Sequence, residues 1–318
     1  MTVPYRAPAW LPGGHLQTIY PFLFRRLPLP PLARERWATP DGDFIEVDWL
    51  AGDRKAPVLV LFHGLEGSSG SHYARALLNY ARAQGWRAAV PHFRGCGGSP
   101  NRLPRAYHSG DYQEIEWILA RVAQHHSEAA RYALGVSLGG NALLKWLAIK
   151  RQSAQRYIAR AAVVSPPMDL SVAGTRLGRG FNRVYTWSFL RTLKHKSIEK
   201  LARFPALYDR GAVLAARTLR QFDDVVTAPL HGFRDAEDYW RRASTRTQLR
   251  EITIPTLIIH ARNDPFLPSA HLPSVNEVSP SVELEFPDQG GHAGFVSGRF
   301  PGHLEWLPRR TFAFFQST

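Results

Sequence analysis

The sequence predicts an α/β fold with a mostly parallel central sheet that helices cover on both faces. Continuous apolar runs of strand length, such as residues 57–62 and 131–136, recur along the chain, and helical periodicity follows most of them. Such alternation is typical of a sheet buried between two helical layers. The chain has 318 residues, of which 44% are hydrophobic, so we expect a single domain over residues 1–318 with one large core.

Local signals set the order of the elements. Pro40-Asp41-Gly42 lies between two alternating segments and predicts a hairpin, because Asp-Gly favours the tight turn that joins two strands. Asp111 is a good N-cap for a helix. The predicted strands are residues 36–38, 44–50, 57–62, 87–91, 131–136, 161–165, 255–260 and 282–286. The predicted helices are residues 73–84, 111–125, a helix that begins at 138, and 306–315.

Two stretches lie outside this alternation. Residues 1–33 form a Pro-rich N-terminal extension that lacks the basic head and unbroken apolar stretch of a signal peptide. Approximately residues 166–250 carry helix and loop signals but no strand signal, which predicts a helical cap inserted before the strand that bears the catalytic acid. No apolar run has the length of a membrane span, and the single cysteine, Cys96, excludes an internal disulfide, so we expect a cytoplasmic protein.

Basic residues are concentrated in the predicted cap. The net charge is +14, and the segment from Ser171 to Arg220 contains eleven basic residues but only two acidic ones, Glu199 and Asp209. A solvated basic surface explains this excess without any partner. The functional alternative is a face that contacts anionic membrane lipids or acidic substrates. No recognition motif accompanies the charge, so we expect no nucleic-acid partner. The sequence leaves the oligomeric state open.

One motif predicts a catalytic nucleophile. Gly135-Val136-Ser137-Leu138-Gly139 follows a predicted buried strand and begins a predicted helix, which is the context of a nucleophile elbow. The tight turn projects the serine hydroxyl from the sheet, and the two glycines avoid collisions with the neighbouring strand and helix. A serine that merely caps the helix is the alternative, but the flanking strand and helix favour catalysis.

A serine nucleophile needs a general base and an acid that orients this base. In this fold the acid and then the histidine follow the serine along the chain. Asp264 lies just after the seventh predicted strand and is the predicted acid, although an aspartate that only shapes a turn is common and Asp288 competes. His292 lies between glycines after the last predicted strand and is the predicted general base. His303, the other histidine late in the chain, follows no predicted strand and is therefore not favoured as the base.

Acyl transfer also needs two N–H donors that bind the oxyanion. The backbone N–H of Leu138 follows from the elbow itself. The loop His63-Gly64-Leu65-Glu66-Gly67 follows a buried strand, and we predict the second donor at Leu65, against the alternative of a simple tight turn. No Cys and His cluster has metal-ligand spacing and no phosphate-binding loop is present, so we expect neither a metal nor a cofactor.

Several motifs together resemble those of the YheT-like α/β hydrolases, over nearly the whole chain. They are Gly13-Gly14-His15-Leu16-Gln17-Thr18, the loop at 63–69, the elbow through Asn141, the cap segment from Arg217 to Trp240, and Gly290-Gly291-His292. The resemblance implies the α/β-hydrolase fold, the triad Ser137, Asp264 and His292, and carboxylesterase activity. It also implies eukaryotic relatives that act on acylglycerols or phospholipids, some of them acyltransferases. None of the thirteen histidines has an aspartate five residues later, the spacing associated with acyl transfer in some relatives.

Our leading hypothesis is a serine hydrolase that cleaves carboxylic esters, lipid-like or with short to medium acyl chains, through an acyl-enzyme intermediate. An acyltransferase that uses the same triad is the alternative among enzymes. A catalytically inactive fold that binds membranes or proteins is the alternative outside them. Haloalkane and epoxide chemistry on this fold uses a carboxylate nucleophile, so Ser137 argues against both.

Overall fold

A computed structural model describes residues 4–25 and 27–317 of the chain. Met1 to Val3, Arg26 and Thr318 lie outside the described residues, and with them part of the extension predicted over residues 1–33.

One mixed sheet forms the centre of the molecule, with eight strands in the order β1-β2-β4-β3-β5-β6-β7-β8. β1 pairs with β2 and β2 with β4 in antiparallel orientation, while the other five pairs are parallel. The mostly parallel sheet that the sequence predicts is therefore confirmed. The strands are β1 (Ala33–Ala38), β2 (Phe44–Leu50), β3 (Val58–Phe62), β4 (Arg87–Pro91), β5 (Arg131–Val136), β6 (Arg160–Val164), β7 (Thr256–Ile259) and β8 (Val282–Glu285).

Helices cover both faces of the sheet because its central strands are apolar on both sides. Every residue of β3 is buried, and its alternate side chains enter two separate cores. One core includes Ile118 of α3 and Leu144 of α4, and the other includes Leu78 of α2 and Phe312 of α11. The helices are α1 (Gly14–Phe24), α2 (His72–Ala83), α3 (Tyr112–His125), α4 (Leu138–Lys150), α5 (Leu170–Leu177), α6 (Arg183–Arg203), α7 (Arg210–Ala215), α8 (Leu219–Phe222), α9 (Ala228–Leu230), α10 (Ala236–Ala243) and α11 (Trp306–Gln316).

The N-terminal extension contains a helix that the sequence analysis does not predict. α1 includes Pro21, which cannot donate a hydrogen bond to the carbonyl four residues earlier, at Gln17. Prolines and glycines normally end helices, and for this reason the segment reads as irregular. The backbone of Gly294 packs against the carbonyl of Gln17, so contacts from the opposite end of the chain stabilise α1.

All of α5 to α10 lie between β6 and β7, and no strand interrupts them in this fully described stretch. We call this stretch the helical insertion. It has a small apolar core of its own, to which Leu190 of α6, Val213 of α7 and Phe222 of α8 contribute. Throughout residues 4–25 and 27–317, no helix combines the length and the apolar character that a membrane span requires.

A buried arginine joins the hairpin to the helical layer. Arg94 is 5% exposed, and its Nε lies 2.7 Å from Glu114 of α3. Its Nη1 lies 2.8 Å from Asp41 and 3.1 Å from Asp43, both in the turn between β1 and β2. Asp43 in turn accepts a hydrogen bond of 2.6 Å from Asn101 Nδ2, which fixes the loop after β4 over the sheet.

We expect Arg94→Met to lower the free energy of unfolding by about 3–5 kcal/mol at pH 7, because it leaves buried carboxylates without their cation. Burial raises the pKa of Asp41, but hydrogen bonds from Arg94 and Thr39 outweigh it and lower the pKa to about 2. Because its pKa is lowered in the folded protein, the ionised Asp41 carboxylate stabilises the fold above pH ~4. This stabilisation is lost as the pH falls toward 2 and the carboxylate is protonated. Urea titrations should therefore show a difference between wild type and variant that narrows below pH ~4. Arg82→Met, at an exposed position of α2, is the control, and an equal loss in both variants would contradict the prediction.

Candidate active site

Ser137 lies on a strained turn between β5 and α4. Its φ is +54°, an uncommon value for a residue with a side chain, and its N–H donates to the carbonyl of Val164 on β6 over 2.8 Å. The two glycines of the motif permit this turn. A Cβ at Gly135 would lie 2.6 Å from the carbonyl oxygen of Gly139, and a Cβ at Gly139 would collide with backbone carbonyls at the end of β3. The close approach of β3, β5 and α4 therefore requires glycine at both positions.

The structure brings the three predicted triad side chains together at the carboxyl edge of the parallel strands. His292 Nε2 lies 2.9 Å from Ser137 Oγ, and His292 Nδ1 lies 2.8 Å from Asp264 Oδ2. Both distances fit hydrogen bonds, so hydroxyl, imidazole and carboxylate form one continuous chain. Phe266 stacks on the His292 ring with a centroid distance of 4.0 Å, which restricts the orientation of the imidazole.

Asp264 is buried and remains suited to carry a negative charge. Burial on its own raises the pKa of this carboxyl, but its electrostatic interaction with the adjacent His292 ring and its hydrogen bonds outweigh burial, so the pKa lies below its ordinary value. One of these bonds comes from the N–H of Phe266 to Asp264 Oδ1, over 2.8 Å. The group opposite His292 is thus a carboxylate at neutral pH.

The alternative residues lie elsewhere. The side chain of Asp288 is 92% exposed and faces Arg262 at 3.6 Å, away from the imidazole. His303 pairs with Ser297 through backbone hydrogen bonds near the surface. Within the described residues, no group of three or more His, Cys, Asp and Glu side chains is placed to hold a metal ion.

The loop after β3 lies against the elbow. A Cβ at Gly64 would be 3.1 Å from the Cβ of Ser137. The N–H of Gly64 donates to the Tyr73 hydroxyl over 2.8 Å, and the N–H of Glu66 donates to the Tyr107 hydroxyl over 2.9 Å. Between them, the N–H of Leu65 has no acceptor among the described residues, and it is therefore available to a ligand.

The side chain of Glu66 connects this loop to the helical insertion. Tyr107 donates a hydrogen bond of 2.7 Å to Glu66 Oε1, and Lys196 of α6 forms an ion pair of 2.8 Å with Glu66 Oε2. Lys196 also lies 3.5 Å from the sulfur of Cys96. No local sequence signal indicates a role for Glu66, Tyr107 or Lys196, because only the fold brings these distant residues together.

A cavity of about 580 Å³ extends from the triad into the helical insertion. Ser137, His292, Leu65 and Leu138 all line it, so the predicted oxyanion residues and the predicted nucleophile face the same space. The insertion contributes mainly apolar side chains, among them Leu170, Leu177, Phe189, Leu193, Phe222 and Val226. The predicted nucleophile and base therefore open onto a chamber that is largely apolar but also includes the charged side chains of Lys196, Lys200 and Arg203.

Comparison with known proteins gives the family. A family model described as the α/β hydrolase fold matches residues 57–298. The chain is 40% identical to "Putative esterase YheT" of Escherichia coli strain K12 over 93% of this chain and 88% of that protein. The chain belongs to the YheT family of α/β hydrolases. This confirms the predicted fold class and the assignment as an α/β-hydrolase enzyme.

More distant relatives agree with this assignment. The YheT-family chain is 28% identical to phospholipase ABHD3 of Mus musculus, over 97% of this chain and 77% of that protein. Among solved structures, the esterase Pf2001 of Pyrococcus furiosus superposes with a TM-score of 0.56 at 17% identity, covering 99% of this chain and 98% of that one. The structural likeness shows the common fold.

We expect Gly135→Ala in this YheT-family chain to lower the free energy of unfolding by at least about 1–3 kcal/mol, because the new methyl group meets rigid backbone. Gly178→Ala is the control, since its φ is −77° and its nearest neighbour would lie at an ordinary 3.4 Å. Thermal unfolding of the two purified variants measures the difference. Equal thermal midpoints for the two variants would contradict the prediction, because they would show that α4 can move away from β5 without destabilising the fold.

Proposed function

We propose that this protein hydrolyses carboxylic esters through an acyl-enzyme formed on Ser137. The observation that carries the proposal is the hydrogen-bonded chain from Ser137 through His292 to the buried Asp264, which opens onto an apolar cavity. The family assignment supports it, since relatives are named esterase and phospholipase.

In the proposed reaction His292 Nε2 accepts the proton of Ser137 as Oγ attacks the ester carbonyl. Asp264 holds the imidazole in the tautomer with its proton on Nδ1 and stabilises the imidazolium that forms. His292 then returns the proton to the leaving alcohol. Water attacks the acyl-enzyme by the same route in reverse, and the carboxylic acid leaves while the serine regains its proton.

The oxyanion of each tetrahedral intermediate needs donors on the side opposite the base. We propose the backbone N–H groups of Leu65 and Leu138 for this role. The N–H of Leu138 belongs to the first turn of α4 and has no intrahelical acceptor, and the N–H of Leu65 lies in the loop packed on the elbow. Removing one such donor from a serine hydrolase typically costs about 10²- to 10³-fold in kcat.

We further propose that the helical insertion acts as a cap that binds the acyl chain. Its side chains provide the apolar wall of the cavity above Ser137. An apolar chamber of this size favours lipid-like or medium-chain esters over small polar ones, because burial of each methylene contributes about 0.8 kcal/mol. Activity on p-nitrophenyl esters should therefore rise with acyl length before it declines.

Ser137→Ala should lower kcat on p-nitrophenyl esters by more than about 10⁴-fold, because the other triad members have no nucleophile to activate. The thermal midpoint should stay within a few degrees, and a fluorophosphonate probe should label wild type but not the variant. Ser153→Ala, beyond the far end of α4, serves as the matched control. Retained turnover in Ser137→Ala would overturn the proposal.

Product analysis with a lysolipid acceptor in the assay separates hydrolysis from acyl transfer.

We also propose that the outer side of the helical insertion contacts anionic membranes. Val184 and Trp187 of α6 are exposed there, and Trp187 is 64% exposed. They line a surface groove that also contains four cations, Arg183, Arg191, Lys194 and Arg217. None of the four forms an ion pair with a carboxylate among the described residues. Exposed aromatic and basic side chains together suit the anionic headgroup region of a bilayer.

The two sides of α6 connect this groove to the cavity. Trp187 and Arg191 face the groove, while Phe189 and Leu193 line the cavity. A bilayer docked on the groove would therefore lie one helix thickness, about 10 Å, from the acyl chamber. This proximity favours a lipid surface as the partner, because the substrate would pass from the membrane into the cavity over a short path.

We expect Trp187→Ala/Arg191→Gln to weaken binding to phosphatidylcholine–phosphatidylglycerol vesicles by at least about tenfold, since each basic residue near an anionic surface contributes about 1 kcal/mol. Cosedimentation at low and high salt measures the effect. Ile149→Ala/Arg156→Gln makes the same charge change at an exposed site outside the insertion. Binding that is equal for the two double variants, or insensitive to salt, contradicts the proposal.

A further inference from the structure

The N-terminal motif Gly13-Gly14-His15-Leu16-Gln17-Thr18 has no part in the mechanism proposed above, yet it lies against the catalytic loops. Thr18 Oγ1 accepts a hydrogen bond of 2.8 Å from the backbone N–H of His292. The same hydroxyl donates to the carbonyl of Gly14 over 2.7 Å, which fixes the direction of its lone pairs. A side chain of α1 thus holds the backbone of the general base.

Gln17 connects the loop of the base to the loop of the acid. Its Oε1 accepts from the N–H of Gly290 over 2.8 Å and from Asn263 Nδ2 over 2.9 Å. Asn263, the neighbour of Asp264, in turn accepts from the N–H of Gly291 over 3.0 Å. Gln17 is fully buried, and its Nε2 donates to Gln289 and to the carbonyl of Leu11. One side chain therefore fixes the two loops relative to each other.

Backbone contacts show how closely α1 fits these loops. A Cβ at Gly291 would lie 2.8 Å from both the nitrogen and the hydroxyl of Thr18. A Cβ at Gly14 would collide with the carbonyl of Asn263. Gly291 has a φ of +61°, so the loop before His292 takes a conformation that favours glycine. The fit leaves no room for the loops to shift without moving α1.

We propose that Gln17 and Thr18 are positioning residues, and that α1 holds His292 and Asp264 at the separation that their hydrogen bond requires. This inference rests on the proposed function of the triad. The hydrogen bonds of Thr18 and Gln17 with the two loops reach the backbone N–H groups of His292 and Gly290 and the side chain of Asn263. α1 would therefore act on the reacting groups through the loops that carry them. A displacement of about 1 Å in such a site costs up to about 10²-fold in rate.

The test compares Thr18→Val with Thr311→Val. Thr311 of α11 is buried and donates to the carbonyl of Leu307, four residues earlier, as Thr18 does to Gly14. Both changes remove this helix hydrogen bond, but only Thr18→Val removes the acceptor of the His292 N–H. Active sites are titrated with a fluorophosphonate, so that kcat is expressed per competent site, and thermal midpoints are recorded for each variant.

We expect Thr18→Val to lower kcat per titrated site by about 10- to 100-fold with KM changed less than about twofold. Thr18→Ser, which keeps the hydroxyl, should restore most of the rate. Thr311→Val should lower the thermal midpoint to a similar degree and leave kcat per site at the wild-type value. Thr18→Ala provides a second variant without the hydroxyl, and we expect the same loss of kcat.

Wild-type kcat per site in both Thr18→Val and Thr18→Ala would overturn the positioning role. The positioning role would also be overturned if kcat per site fell as far in Thr18→Ser as in Thr18→Val. The proposed function is tested separately by Ser137→Ala, and turnover that survives in this variant would show that the proposed function is wrong. An active wild type with an inactive Ser137→Ala and unimpaired Thr18 variants rejects only the role of α1.

Discussion

The site depends on one constraint, the parallel alignment of β3, β5, β7 and β8. Because these strands run in the same direction, the loops that leave their carboxyl ends meet at one edge of the sheet. The proposed nucleophile, Ser137, follows β5 directly, the proposed acid, Asp264, follows β7 by a few residues, and the proposed base, His292, lies in the longer loop after β8. Side chains that are 155 residues apart in the chain thereby come within 2.9 Å of each other.

How far the sequence predicts this site depends on how local each signal is. The elbow is a local structure, because Gly135 and Gly139 are needed for contacts made within a few residues and with the adjacent strand, so the motif predicts Ser137 and its turn. The strands also follow from local apolar runs. Asp264 is preferred over Asp288 in the sequence because Asp288 lies only four residues before His292, and the structure places Asp264 beside His292. Its catalytic role stays a prediction.

The features that the sequence analysis does not predict depend on distant contacts. α1 contains Pro21, begins at Gly14 and follows Gly13, so local signals argue against a helix. Its stabilising partners lie more than 240 residues away, at Asn263 and Gly290. Likewise Glu66 and Lys196 form their ion pair only because the helical insertion folds back over the sheet. Propensity and spacing carry no information about such pairs, since they arise from the tertiary structure.

A buried histidine behind the acid bears on how the carboxylate acts. His260 Nε2 lies 3.3 Å from Asp264 Oδ2, yet neither ring nitrogen has a hydrogen-bond partner among the described residues. Burial lowers the pKa of His260 to about 4, so this ring is neutral at pH 7. A neutral neighbour leaves the negative charge of Asp264 uncompensated on that side. In the proposed reaction this carboxylate, 2.8 Å from His292 Nδ1, stabilises the imidazolium that forms when His292 accepts the serine proton.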